Sequence, residues 1–159
     1  MCCSRLFVFT LWAVCALIPL EIHASFNGLW RGAGQASDSS GWSAPCERIS
    51  YHFEQTPTVL NVMGGEVKCG DYEQTFDPVS LVIRSNKLFY EDIEVGTLSD
   101  DALEIFYADE IITLAYSFTK VRLSGSEQYV LNYKEHQSSQ DWSIAVEGQL
   151  IDIPTNSVH

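Results

Sequence analysis

The strongest constraint on this 159-residue chain is a two-residue alternation of apolar and polar side chains that recurs through residues 26–150. Alternation of this kind predicts strands with one dry face and one wet face. For example, Ile49, Tyr51 and Phe53 alternate with polar or charged residues. Gly, Pro, Asp, Asn and Ser separate the runs, and the helical period is almost absent. The sequence therefore predicts an all-β fold.

The alternation divides into nine or ten predicted strands joined mostly by tight turns. Gly64-Gly65 is interpreted as one hairpin turn and Ser85-Asn86-Lys87 as another. Residues 99–104 could also cap a short helix, but the alternation that follows favours a strand. A long meander must close or stack to remove its free edges. We therefore expect a single antiparallel up-and-down β-barrel of 8–10 strands over residues 25–153. The predicted strands are 26–35, 46–55, 58–63, 66–76, 79–84, 88–95, 102–107, 111–123, 128–136 and 142–150.

Residues 1–24 have the order of a secretory signal peptide. Arg5 precedes the uncharged run 6–20, and the segment ends in the small residue Ala24. The run is shorter than the roughly 20 residues that span a bilayer, although an uncleaved anchor is the alternative. We expect a cleaved signal peptide, an exported (periplasmic or secreted) mature chain without a transmembrane segment, and a disordered tail over residues 154–159.

Cys46 and Cys69 are the two cysteines beyond the predicted leader. An even number of cysteines in an exported chain predicts a disulfide. On the chain-entropy model, closure of the intervening loop stabilises the fold by roughly 3 kcal/mol. A reactive cysteine nucleophile is the alternative, but it needs a paired base and a reducing compartment, and the sequence indicates neither.

Charge and motifs exclude several functions. The formal net charge of −12 argues against a nucleic-acid partner, which needs a basic surface. Because the sequence has no nucleophile elbow, Walker loop, zinc-protease helix motif or calcium-loop spacing, we expect no enzymatic activity, no cofactor and no metal. Acidic pairs at 91–92, 100–101 and 109–110 could act as acid and base or hold a cation weakly, but are better interpreted as solvated turn tips.

Four tyrosines on predicted dry faces are the best candidates for function. Each buried phenol needs a hydrogen-bond partner, so four around one interior indicate a cavity with polar handles. The alternative is that the hydroxyls reach the barrel rim or backbone carbonyls. We expect a small, mostly apolar ligand, with Trp30 as the floor and Trp42 at the mouth. The predicted wall residues are Tyr51, Phe53, Tyr107, Tyr116, Phe118 and Tyr133.

The segment Gly28-Leu29-Trp30 resembles the first strand of the lipocalin-like (calycin) group. The resemblance implies a barrel in which the Trp plugs one end and a small lipophilic ligand lies above it. Two features of central lipocalins are missing. The predicted last strand, 142–150, carries no basic residue to stack over the Trp, and the Thr-Asp-Tyr turn motif is absent.

Two further resemblances imply other functions. Residues 30–34 are similar to the start of nitrobindins, ten-stranded barrels that hold haem through an inward His, but His52 and His136 fall on predicted wet faces. The order Trp30, Cys46, Cys69 is similar to small periplasmic protease inhibitors, which implies a protein-binding barrel with a filled core. Their inhibitory segment is a free N-terminal tail, which is missing here. A void of several hundred Å³ above Trp30 would favour a ligand, whereas a packed interior would favour a protein partner.

Overall fold

The computed structural model describes residues 25–154, so the predicted leader and residues 155–159 of the predicted tail lie outside the described residues. The described part contains eleven strands. None of its residues belongs to a helix long and apolar enough to cross a membrane. The strands are β1 (Gly28–Asp38), β2 (Ser43–Gln55), β3 (Val59–Cys69), β4 (Tyr72–Phe76), β5 (Val79–Arg84), β6 (Lys87–Tyr90), β7 (Ile93–Leu98), β8 (Ala102–Ala108), β9 (Thr113–Arg122), β10 (Tyr129–Ser138) and β11 (Ser143–Ile153).

Antiparallel ladders join the strands into a closed ring. β1 pairs with both β2 and β11, and β2 also pairs with β3, which closes the sheet on itself. β4 and β5 pair with successive halves of β3, on either side of Asp77-Pro78, and together form one broken strand. The protein is therefore a ten-stranded antiparallel barrel. This confirms the predicted up-and-down β-barrel of 8–10 strands.

Apolar side chains of every second residue point to the barrel axis. Tyr51, Leu81, Leu131 and Ile144, predicted to face inward, are all at most 6% exposed. Their neighbours along each strand face solvent, as the alternating burial patterns of β1, β2 and β10 show. Burial of one face of each strand drives closure, because an open sheet would leave this face wet.

Aromatic rings close one end of the barrel, which we call the closed end. The indole Nε1 of Trp30 donates to the carbonyl of Phe26 at 2.9 Å. Lys120, on β9, lies over the Phe26 ring at 4.6 Å and donates to the carbonyl of Ser25.

The opposite end, which we call the disulfide end, is fixed by the bond between Cys46 and Cys69. The two cysteines are directly paired across β2 and β3. The predicted disulfide is confirmed. In an up-and-down barrel, the last residues of β1, β3, β8 and β10 share this end with the first residues of β2, β4, β9 and β11.

Three turns differ from the sequence prediction. Gly64-Gly65 lies inside the continuous strand β3, where the register with β2 shifts, and Gly64 has a φ of +139°. The turn falls instead at Gly70-Asp71, which divides the predicted strand 66–76. Glu91-Asp92, with φ of 47° and 67°, divides the predicted strand 88–95 into β6 and β7.

Candidate functional site

The ring of ladders is incomplete at the disulfide end. Among the described strands β4 pairs with β3 alone, so its other edge is free. β8 pairs with β7 only through Leu103–Ile105, and residues 106–108 pair with β9 alone. The β6–β7 hairpin, which stands between β5 and β8 in the ring, turns back at Glu91-Asp92. The ring of ladders is therefore broken between β4 and residues 106–108 of β8, and we call this break the lateral opening.

A buried carboxyl group lies on the inner face behind the lateral opening. Glu135, on β10, is 2% exposed and accepts hydrogen bonds from Tyr133 and from the side-chain amide of Gln137. Tyr133 is joined in turn to the hydroxyl of Tyr51 at 2.8 Å. Burial raises the pKa of Glu135, and the two donated hydrogen bonds oppose that rise.

The hydrogen-bonded chain continues from Glu135 to the opening. The amide of Gln137 also donates to Gln74 of β4 at 2.6 Å, and the Tyr72 hydroxyl donates to the same oxygen. Tyr72 and Tyr116 are half-buried inward-facing residues of this region. Burial raises the pKa of both tyrosines, and the negative charge of Glu135 raises it further. This series of hydrogen bonds therefore connects the buried carboxyl group of Glu135 to the half-exposed side chains of β4.

Aromatic rings fill the interior between Glu135 and the closed end. The Tyr51 ring centroid lies 4.9 Å from that of Phe118, 5.3 Å from that of Phe76 and 5.2 Å from that of Tyr133. Phe53 packs on Phe118 at 5.2 Å. Side chains therefore occupy the space above Trp30.

Five shallow concavities of the described residues lie on the outside of the barrel, lined mainly by outward-facing side chains.

The structure separates most of the predicted wall residues, and the predicted floor residue, into three groups. Phe53, Phe118, Tyr51 and Tyr133 belong to the packed aromatic layer and are at most 3% exposed. Tyr116 is half-buried and faces Phe76 near the lateral opening, with ring centroids 5.8 Å apart. Trp30 lies in the closed end.

Two predicted residues lie at the disulfide end outside this layer. Trp42 is half-buried against the core, beside Gly70, and its backbone N–H donates to Asp38 at 2.9 Å. Tyr107 differs from the expectation of a dry-face residue. It is 42% exposed near the end of β8, and its hydroxyl donates to Asp109 at 3.1 Å. Residues 106–108 have no strand partner on the side away from β9, which leaves the ring partly exposed.

The sequence prediction missed the polar members of the site. Glu135 and Gln137 are both buried and continue the inward alternation of Leu131 and Tyr133. That signal was present in the sequence, but the predicted strand ended at His136 because polar residues mark a strand end more often than an inner face. The sequence around Gln74 gave no comparable signal, since its role depends on a side-chain contact with Gln137 across the barrel interior.

Comparisons with known proteins show no shared family. No family model matches the sequence, and the search of curated proteins found no match. One solved structure of similar shape is a structural-genomics protein of unknown function from Bacteroides ovatus, with a TM-score of 0.44 and 12% identity. The alignment covers 84% of this chain and 43% of that one, so the chain spans less than half of that protein.

Proposed function

We propose that this protein is an exported, non-catalytic, lipocalin-like barrel that binds a small ligand at the lateral opening. The observation that carries the proposal is the gap between β4 and β8, behind which half-buried rings and hydrogen-bonding side chains meet. The apolar part of the ligand would pack on Phe76 and Tyr116, while Gln74 and Tyr72 would serve as polar handles. Because aromatic side chains fill the space above Trp30, the proposed position differs from the one expected from the sequence.

Export is part of this proposal. It is supported by the leader-like order of residues 1–24 and by the disulfide between Cys46 and Cys69, which persists in oxidising compartments.

Native mass spectrometry of protein purified from its own host tests the proposal. We expect a bound small molecule that is lost when the ring at the opening is removed in Tyr116→Ala. Tyr129→Ala is the matched control, because Tyr129 is 40% exposed at the start of β10, beside Lys120 at the closed end of the barrel. A protein without a co-purifying or titratable small molecule, or equal ligand loss in both variants, would contradict the proposal.

The filled interior favours a second candidate, a protein-binding barrel. The free edge of β4 has unpaired backbone groups to which an extended peptide could add as a further strand. A photo-crosslinking residue at Thr75, on the exposed face of β4, would then capture one discrete partner in the native host. The same group at Glu54, on the fully paired strand β2, would not. Equal labelling from both positions would exclude this candidate.

A further inference from the structure

We propose that the ligand of the lateral opening is a cation, namely a small amine attached to a flat apolar body. This inference rests on the proposed ligand-binding function and adds the charge of the ligand to it. Three features of the opening support it: an uncompensated carboxyl group, a set of aromatic rings, and a negative potential.

The first feature is the carboxyl group of Glu135. None of the ion pairs among the described residues includes it. The titratable groups that face it are all tyrosines: Tyr133 beside it, Tyr51 from β2, Tyr72 from β4 and Tyr116 from β9. A buried carboxylate without a cation is costly, so a positively charged ligand would supply the missing counter-charge.

The second feature is the arrangement of the rings. Phe76 and Tyr116 meet edge to face, with an interplanar angle of 88°. Tyr72, on the same inner face of β4 as Phe76, adds a third ring near the free edge. The face of an aromatic ring attracts an ammonium group through its quadrupole, and several rings around one point recognise alkylated ammonium ions. The Tyr72 hydroxyl gives its proton to Gln74, so its oxygen would be able to accept a hydrogen bond from a protonated amine.

The third feature is the electrostatic potential. Burial raises the pKa of the Tyr72 and Tyr116 hydroxyls, and the negative charge of Glu135 raises it further. The same field stabilises a positive charge placed beside them. The acidic residues Asp109 and Glu110 directly follow β8, and the whole chain has a formal net charge of −12. Such a surface attracts cations and repels anions.

Isothermal titration with three probes of one shape tests the inference. The probes are 2-phenylethylamine, the neutral 2-phenylethanol and the anionic phenylacetate. We expect the amine to bind at least tenfold more tightly than the alcohol, and phenylacetate to bind most weakly. Glu135→Gln should abolish the tenfold preference, because the amide carries no charge. Its oxygen can still accept from Gln137, and its NH2 can donate to the oxygen of the Tyr133 hydroxyl. Glu104→Gln, on the exposed face of β8, removes the same charge from the protein and should keep the preference.

The outcomes separate the two proposals. Equal affinity for the amine and the alcohol would overturn the cation inference and leave the ligand-binding function standing. Failure of all three probes to bind at millimolar concentration would count against both.

If Glu135→Gln does not fold, the pH dependence of amine binding to the wild type tests the cation inference. Amine affinity should fall as the pH is lowered and Glu135 takes up a proton, whereas alcohol affinity should not change. Amine affinity that does not depend on pH would overturn the inference.

Discussion

Gly65 shows how a single residue controls the packed layer. A Cβ atom added there would lie 2.8 Å from the ring of Tyr51, which is held by its hydrogen bond to Tyr133. We predict that Gly65→Ala lowers the free energy of unfolding by about 1–3 kcal/mol, the usual cost of overpacking. Urea denaturation measures this loss. In a Tyr51→Ala background the same substitution should cost much less, and an equal cost in both backgrounds would show that the ring contact is not the cause.

Glu135 should make the folded protein less stable as the pH rises, which is the reverse of the usual effect of a carboxyl group. Burial raises its pKa in the folded state, so the folded protein binds the proton more tightly than the unfolded chain. The contribution of this group is therefore greatest at low pH and is lost as the pH rises from about 4.3, the ordinary value for Glu, through the raised pKa. We predict that wild-type stability falls relative to Glu135→Gln over this range. Parallel unfolding curves for the two proteins against pH would contradict the prediction.

At the scale of the strands, the disulfide holds β2 to β3 beside the lateral opening. The two cysteines are 23 positions apart, and opening this loop restores chain entropy to the unfolded state. We predict that Cys46→Ala/Cys69→Ala lowers the free energy of unfolding by about 3 kcal/mol in urea denaturation. Reduction of the wild type should produce a similar loss. Unchanged denaturation midpoints in both experiments would contradict the prediction.

The strand boundaries show what the sequence could and could not predict. Alternation identified the inner faces of β2 and β10 because each strand has one dry face. It failed at Gly64-Gly65, where two glycines fit either a turn or a bulge. The ring of Tyr51, on the neighbouring strand, packs against Gly65. It also failed at Glu91-Asp92, because a left-handed Glu is rare and local preference does not predict it.

At the scale of the whole molecule, the barrel has a filled interior and an incomplete side. Strand alternation predicted closure into a barrel, because ten strands that each have one apolar and one polar face have few other ways to bury their apolar faces. It did not predict the lateral opening. That gap depends on where the β6–β7 hairpin and β4 end relative to β8, and strand alternation does not specify these end points although the pairings themselves are local. The contact of Gln74 with Gln137, 63 positions away, depends on closure of the whole barrel.

The most direct test of the account is an NMR titration of isotopically labelled residues 25–159 with 2-phenylethylamine. The account predicts that signals from Tyr72, Phe76 and Tyr116 shift on binding. It also predicts that the indole N–H signal of Trp30, which is bonded to the Phe26 carbonyl at the closed end, stays in place. A shift of the Trp30 indole signal without any change at Tyr72 or Tyr116 would contradict a binding site at the lateral opening.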